Sequence, residues 1–263
     1  MDQRILRSTN LTAECLADLF TDRILALVVQ GYYAPSLCES LSQAILADTR
    51  VQRYTHEVVM ENEVTQKYFG VDRLGIPFNS TYGGDPIAEE NYYREASSGI
   101  EHLRRLAAPA PTPADKLRLE LDEHFLPGAS VAAFSGRKML AGIGRITKAE
   151  LSAMSAEQPH FDALPARFGA LDAQFAANIY LRVPPLGGEL ELWDVPPMDP
   201  LAKTPADWRS ELPPSVKIAP QLGDLILFNC RRPHAIGAFT GEDRVSVQMF
   251  LGYRKGEALL LWN

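Results

Sequence analysis

The chain has 263 residues, of which 46% are hydrophobic and 22% charged, and its formal net charge is -7. This composition is typical of a globular protein with one sizeable core, and the scattered prolines and glycines form no linker, so a single domain over residues 1–263 is expected. The acidic balance, without a lysine-rich or arginine-rich run, argues against nucleic acid as a partner.

Targeting signals and cysteine spacing bear on where the protein works. No apolar run approaches the roughly 20 residues that span a bilayer, and the N-terminal sequence lacks the layout of a signal peptide. The cysteines, Cys15, Cys38 and Cys230, are widely spaced and odd in number, which fits neither a disulfide framework nor a cysteine-based zinc site. We expect a cytoplasmic protein without a membrane partner, whose thiols are reduced and buried. The sequence allows a homodimer but does not require one.

The first half of the chain has mainly helical patterns. Apolar residues recur at helical spacing from Leu11 to about Leu27, the apolar run LALVVQGYY predicts a strand, and helical spacing resumes from Ser36 to Ala47. Residues 50–86 contain the short strand-like pieces HEVVM and KYFGV together with the turn-rich FNSTYGGDP, which predicts irregular structure lining a pocket. Two more helices are expected over residues 88–107 and 113–124.

After Gly128 the pattern changes to short alternating or apolar segments bounded by glycine and proline, which is typical of strands. Helices come first and strands follow, so the sequence predicts an α+β fold. In it a mainly helical part, residues 1–128, packs on a closed or jelly-roll β-core, residues 129–263. The predicted strands include SVAAF and residues 143–147, 174–183, 189–195, 215–218, 224–228 and 244–253.

One fragment of the second half carries residue types that bind metals. In QPHFDALP, His160 and Asp162 stand two residues apart, and such residues project from the same face of an extended strand. A further histidine, His234, follows the apolar strand GDLILF. Two histidines and one carboxylate leave the other positions of an octahedral ion open, which is typical of iron(II) sites that bind oxygen. Taken alone, His160 is better explained as a hydrogen-bonded core histidine.

The segment GEDRVSVQMFLGYR adds an anion-binding pair. Arg244 and Ser246 share one face of the predicted strand, so a guanidinium and a hydroxyl can bind one carboxylate through charge-assisted hydrogen bonds. The alternative is a surface arginine paired with Asp243 or Glu242. The metal-binding pattern upstream favours the inward-facing interpretation, because an arginine inside a core needs an anion.

Taken together, His160-x-Asp162, His234 and Arg244-x-Ser246 resemble the pattern of the iron(II)- and 2-oxoglutarate-dependent oxygenases. The run NIYLRVPPLGGELELWD and the lead-in GDLILFNCRRPHAI match the same pattern. The resemblance implies a double-stranded β-helix core, Fe(II) bound by the two histidines and the aspartate, and O2 as the oxidant.

The resemblance covers about residues 130 to 255 and also implies a co-substrate. In such enzymes 2-oxoglutarate chelates the iron through its keto-acid end, so Arg244, with Ser246, is expected to bind its distal carboxylate. Asn178 and Tyr180 share one face of their predicted strand and are further candidates for the co-substrate site. An inward-facing tyrosine of a β-core can also be explained by packing alone.

Asp162 bears on the type of reaction. The chain is similar to small bacterial hydroxylases and halogenases that act on free amino acids or natural products, and in the halogenases the carboxylate position is Gly or Ala, which opens a site for chloride. The carboxylate present here therefore predicts hydroxylation of a free amino acid or a natural-product intermediate. Desaturation is the alternative, and halogenation is not expected.

Substrate-pocket residues are expected in the irregular loop, after the Gly-Gly turn and at the C-terminus. Each candidate has an alternative explanation as core packing or as a solvated charge. An inward-facing Arg73 would suit the carboxylate of an amino acid. The candidates are Arg73, Phe78, Asn79, Thr81, Tyr82, Trp193 and Trp262.

Two other classes of protein remain open at the level of the sequence. A cupin-type metalloenzyme can use two histidines and a carboxylate, but it would have no use for Arg244 and should ignore 2-oxoglutarate. A non-enzymatic small-molecule-binding protein on the same fold would keep His160 and His234 as polar core residues and would bind no iron.

Overall fold

The computed structural model describes residues 4–60, 63–153, 159–202 and 207–263. The described helices are α1 Ala13–Phe20, α2 Pro35–Leu46, α3 Pro86–Ala107, α4 Pro113–His124 and α5 Trp208–Glu211. The strands of the first half are β1 Ile5–Ser8, β2 Ala26–Val29, β3 Gln52–Met60 and β4 Glu63–Leu74. Those of the second half are β5 Ala129–Val131, β6 Ala133–Phe134, β7 Arg137–Lys138, β8 Ile143–Thr147, β9 Ala173–Arg182, β10 Leu186–Gly187, β11 Leu190–Leu192, β12 Val216–Ile218, β13 Leu225–Asn229, β14 His234–Ile236, β15 Phe239–Thr240, β16 Arg244–Tyr253 and β17 Leu259–Trp262.

The first helix is shorter than its apolar spacing predicts. It begins after Thr12, whose side chain accepts a hydrogen bond from the amide of Cys15 and so caps the helix. It ends at Phe20, because Asp22 adopts a left-handed conformation with φ of 60° and turns the chain into β2. The prediction of a helix to about Leu27 is therefore wrong over its last turns.

A large sheet, the major sheet, runs in the order β1-β2-β13-β9-β16-β8-β4-β3, and β17 joins β16 and β5 along the same sheet. Four of these strands come from the first half of the chain, so that half contributes strands to the major sheet in addition to the helices α1 to α4. The strand-like pieces HEVVM and KYFGV lie within β3 and β4, which form a long hairpin. The pairing of Val71–Leu74 with β8, a contact distant in sequence, attaches this hairpin to the sheet.

A smaller sheet, the minor sheet, contains β12, β11 and β14, and β10 pairs with β15. Apolar residues of both sheets, such as Tyr180 and Phe228 of the major sheet and Leu192 of the minor one, pack into one cluster between them. This is the arrangement of a double-stranded β-helix, and it confirms the predicted α+β fold class. The other face of the major sheet packs against the helices, with Leu41 of α2 and Leu117 of α4 among the contacting residues.

The cysteines and the helices bear on two further predictions from the sequence. Cys15, Cys38 and Cys230 are free and buried, as predicted. Among the described helices, none is both long enough and apolar enough to cross a bilayer.

Candidate metal and co-substrate site

Three potential metal ligands come together where β14 begins. His160 forms a β-bridge with His234 through backbone hydrogen bonds of 3.0 and 2.8 Å, and the amide of Asp162 donates to the carbonyl oxygen of Cys230 at 2.7 Å. These bonds hold His160 and Asp162 in extended chain beside β14, so both side chains turn toward His234. One ligand atom from each of the three residues lies within 4.8 Å of the others.

The chemistry of this donor set fits a catalytic ferrous ion. Nε2 of His234 lies 3.4 Å from Oδ2 of Asp162. His160 is exposed, Asp162 is half-buried and His234 is buried, so one side of the cluster faces solvent. Two imidazoles and one carboxylate with an open side match a site that binds a co-substrate and oxygen, whereas a closed structural site would enclose its ion with protein ligands.

The imidazole of His234 is oriented through its other nitrogen. Nδ1 bonds the carbonyl oxygen of Arg232 at 2.9 Å, which in the matching tautomer leaves the lone pair of Nε2 for a metal. Arg232 is itself buried, and its Nη2 binds the two carboxylate oxygens of Asp22 at 2.8 and 2.6 Å. The turn after α1 therefore supports the strand that carries His234.

The carboxyl group of Asp162 is held in its ionised form. Desolvation in the pocket raises its pKa, but the hydrogen bond and charge of His234, followed by the charges of His160 and Arg145, outweigh this effect and hold the pKa well below its usual range. An ionised carboxylate is the form that binds a metal. Asp162 is thus prepared as a ligand at neutral pH.

Arg244 and Ser246 lie on the inner face of β16, between the two sheets, because the alternating residues Val245 and Val247 pack against the helices. Arg244 is only 7% exposed, and its Nη1 donates to the carbonyl oxygen of Gly188 at 3.1 Å. Its Nε is buried and has no hydrogen-bond partner among the described residues. A buried guanidinium with an unused donor is suited to receive an anion.

The Gly-Gly turn positions the carbonyl group that contacts Arg244. Gly187 and Gly188 have φ values of 80° and 72°, which side chains rarely adopt. A Cβ on Gly187 would lie 2.2 Å from the carbonyl oxygen of Ala238, so only glycine fits there. The glycine pair noted in the sequence therefore has a structural role beside the site.

Asn178 and Tyr180 lie on the same inner face, on β9. Tyr180 pairs across the strands with Ser246, and Asn178 pairs with Gln248. The guanidinium carbon of Arg244 lies 5.3 Å from the centroid of the Tyr180 ring. Tyr180 thus borders Arg244 and Ser246, Asn178 lies one inward-facing position further along β9, and contact of either side chain with a co-substrate stays a prediction.

A row of side chains crosses the inner face of the major sheet. Cross-strand pairs join Tyr180 to Ser246, Ser246 to Arg145, and Arg145 to Arg73. Residues that pair directly point to the same face, and adjacent strands lie about 5 Å apart. Arg145 is a candidate that the sequence analysis missed, although a single charged residue in the apolar strand IGRIT was a signal for it.

The arginines of this row meet at Tyr54 of β3. The guanidinium carbon of Arg145 lies 4.5 Å from the centroid of the Tyr54 ring. Nδ2 of Asn79 donates to the Tyr54 hydroxyl oxygen. Burial raises the pKa of Tyr54, and the charge of Asp162 acts in the same direction, so Tyr54 lies in the electrostatic neighbourhood of the metal ligands.

The predicted pocket residues divide into two groups. Phe78, Thr81 and Trp262 are fully buried, which favours the alternative explanation of core packing for them. The ring of Phe78 packs 4.9 Å from that of Tyr92, centroid to centroid. The short turn between β4 and α3 is folded onto the core, which is why its aromatic residues are enclosed.

Three of the other four candidates keep accessible surface. Arg73, Asn79 and Tyr82 are half-buried, whereas Trp193 is only 3% exposed and lies with its ring centroid 5.1 Å from the guanidinium carbon of Arg209. Burial, followed by the charge of Asp162, raises the pKa of Tyr82, which indicates that Tyr82 lies near the metal ligands. Arg73, Asn79 and Tyr82 therefore remain candidates for substrate contact.

Residues 149–252 match the family model described as the 2OG-Fe(II) oxygenase superfamily. This segment contains the three potential metal ligands together with Arg244 and Ser246. Among curated proteins, none matches the chain.

Solved structures share the fold at low sequence identity. An N-substituted L-amino acid dioxygenase from Burkholderia ambifaria AMMD, in complex with alpha-KG, has a TM-score of 0.64 at 14% identity, and the match covers 95% of this chain and 91% of that chain. AviO1 from Streptomyces viridochromogenes Tue57 has a TM-score of 0.50 at 12% identity, covering 94% of this chain and 98% of that chain. The fold and the family model agree: residues 149–252 match the 2OG-Fe(II) oxygenase superfamily, whose members use Fe(II), 2-oxoglutarate and O2, and the solved structures share the fold of the chain.

Proposed function

We propose that the whole chain forms one domain that acts as an iron(II)- and 2-oxoglutarate-dependent dioxygenase and hydroxylates an unactivated C–H bond of a small molecule. The observation that carries this proposal is the pairing of two features between the sheets. The His160, Asp162 and His234 cluster has the donor set of a catalytic ferrous site, and Arg244, buried on the inner face of the major sheet, has a donor without a partner among the described residues.

Each residue of the site has a defined part in this proposal. His160, Asp162 and His234 would hold the ferrous ion, which when bound supplies the activation of oxygen that accompanies oxidation of 2-oxoglutarate to succinate and carbon dioxide. Arg244 binds the distal carboxylate through its fork of N–H donors, and the Ser246 hydroxyl adds a further hydrogen bond. The keto-acid end is thereby directed toward the metal ligands.

Asn178 and Tyr180 complete the co-substrate site in this proposal. Tyr180 is fully enclosed and lies beside the Arg244 guanidinium, so it keeps that guanidinium in place against the carboxylate. Asn178 lies one inward-facing position further along β9 and offers an amide to the body of the co-substrate.

The carboxylate of Asp162 favours hydroxylation as the reaction. It occupies the ligand position that halogenases leave to chloride, so halogenation is not part of the proposal. A small substrate, a free amino acid or a natural-product intermediate, agrees with the superfamily and with the name of the Burkholderia ambifaria structure, an N-substituted L-amino acid dioxygenase.

The proposal is tested by oxygen uptake and succinate formation in the Fe(II)-loaded protein, with and without 2-oxoglutarate. We expect slow oxygen uptake that depends strictly on 2-oxoglutarate, yields one succinate per 2-oxoglutarate consumed and accelerates with the true substrate. Pyruvate, which lacks the distal carboxylate, serves as the control and should not replace 2-oxoglutarate. Oxygen uptake that ignores 2-oxoglutarate would indicate a cupin-type enzyme, and a protein that binds no iron would indicate a non-enzymatic binding protein.

A further inference from the structure

The inner face of the major sheet carries more positive charge than binding of the co-substrate requires. Arg73, Arg145 and Arg244 all point into the space between the sheets, and no carboxylate of the described residues lies within 4.0 Å of any of the three guanidinium groups. Of these, Arg244 is buried and Arg73 and Arg145 are half-buried, whereas the buried Arg232 pairs with Asp22 at 2.6 Å. Enclosed charges are normally paired, so the three arginines of the inner face, which have no carboxylate in contact, are suited to bind anions.

The arrangement of Arg73 and Arg145 is that of a built site. Both lie close to Tyr54: the guanidinium group of Arg145 stacks on its ring, and burial lowers the pKa of Arg73, an effect that Glu95 and then Tyr54 oppose. Nη1 of Arg73 donates to the carbonyl oxygen of Gly75 at 2.6 Å, which anchors one side of its guanidinium. Nε of Arg145 is buried and has no hydrogen-bond partner among the described residues. The pair therefore has fixed planes and at least one unused donor.

Charge balance indicates how many anions the loaded site still lacks. A ferrous ion and the three guanidinium groups of Arg73, Arg145 and Arg244 carry five positive charges. Four negative charges oppose them. Asp162 carries one, Glu95, which acts on Arg73 from α3, carries another, and the dianion 2-oxoglutarate carries two. One positive charge remains, and it lies on the side of Arg73 and Arg145.

We propose that Arg145 and Arg73 form a second anion subsite, next to the co-substrate, that binds a carboxylate group of the substrate. The inference rests on the proposed function and narrows its substrate class to carboxylate-bearing small molecules. Tyr54, held by Asn79, forms the wall against which the arginine pair is packed.

The co-substrate does not account for this pair, because both of its carboxylates are already assigned. One belongs to the keto-acid end at the metal ligands, and the other to Arg244 and Ser246. Arg145 lies one strand beyond Ser246 and Arg73 two strands beyond it, about 5 and 10 Å away at the usual strand spacing. The subsite thus extends sideways from the co-substrate toward β3 and β4.

The test measures binding without turnover. The protein is loaded with Zn(II), which is redox-inactive, and with 2-oxoglutarate, and the twenty standard L-amino acids and their carboxamides are titrated calorimetrically. We expect at least one acid to bind at least about tenfold more tightly than its amide. Arg73→Gln and Arg145→Gln should each abolish this preference, whereas Arg73→Lys, which keeps the charge, should retain part of it. Arg182→Gln, which removes a surface arginine paired with Glu242, is the matched control and should change nothing.

Two further measurements keep the outcomes separate. The Kd for 2-oxoglutarate should change less than about threefold in Arg73→Gln and Arg145→Gln, and the Tm of both variants should be preserved, because neither substitution breaks a contact with a carboxylate. The proposed subsite is contradicted if no acid binds better than its amide. It is also contradicted if both variants raise the Kd for 2-oxoglutarate as strongly as loss of Arg244 does. If the wild-type protein binds no 2-oxoglutarate, the proposed function itself fails.

Discussion

Replacing Asp162 by glycine is expected to lower both the affinity for Fe(II) and the 2-oxoglutarate-dependent hydroxylation rate by more than about 100-fold. Changes to residues that only support a metal ligand typically reduce metal affinity or activity about 10- to 100-fold, and loss of a ligand should exceed that range. The variant is checked by Fe(II) titration and by product formation under saturating iron.

Asp162→Asn and Glu242→Gln complete this comparison. The asparagine keeps the size of the side chain but removes its charge, so most of the loss should remain. Glu242 is an exposed carboxylate that pairs with Arg182, and its replacement should leave iron binding unchanged. A hydroxylation rate in Asp162→Gly equal to that of the wild type would remove Asp162 from the ligand set.

Replacing Arg244 by glutamine is expected to raise the Kd for 2-oxoglutarate by at least about 30-fold, with iron affinity in the absence of 2-oxoglutarate unchanged. Removing one partner of an enclosed, hydrogen-bonded charge pair costs about 2 kcal/mol or more, which corresponds to this factor. The enclosed position of Arg244, at 7% exposure, excludes the water that would otherwise replace the lost contact. The measurement is a 2-oxoglutarate titration of the metal-loaded protein.

Two variants rank the contacts to the distal carboxylate. Arg244→Lys keeps the charge but loses the planar fork, so its Kd should lie between those of the wild type and Arg244→Gln. Ser246→Ala removes one hydrogen bond and should weaken binding about tenfold or less. If Arg244→Gln binds 2-oxoglutarate as the wild type does, the distal carboxylate is bound elsewhere and the assignment of Arg244 is wrong.

Strand alternation explains why part of the site was predictable from the sequence. Residues two apart on a strand share a face whatever the rest of the fold does, so the shared orientation of Arg244 with Ser246, and of Asn178 with Tyr180, follows from local geometry. The same rule placed His160 with Asp162. The bounds of β8 and β16 also agree with the predicted segments, because both strands are apolar runs ended by clear turn residues.

The rest of the site depends on contacts between distant parts of the chain. Tyr54 and Arg73 reach the site only because β3 and β4 add to the edge of the major sheet, and no local pattern specifies that pairing. The support of His234 by Asp22 through Arg232 joins residues 210 positions apart. The burial of a side chain likewise depends on tertiary packing. The amino-acid types in the turn after β4 therefore could not predict that its aromatic side chains are buried.

The most direct test of the central claim is the visible absorption of the protein with Fe(II) and 2-oxoglutarate under anaerobic conditions. We expect a weak charge-transfer band that requires both additions, saturates at one iron and one 2-oxoglutarate per chain, and needs more 2-oxoglutarate in Arg244→Gln. Succinate, which has no keto group to chelate the iron, should give no band. A flat spectrum with saturating iron and 2-oxoglutarate would contradict the assignment of His160, Asp162 and His234 as the iron site of a 2-oxoglutarate-dependent enzyme.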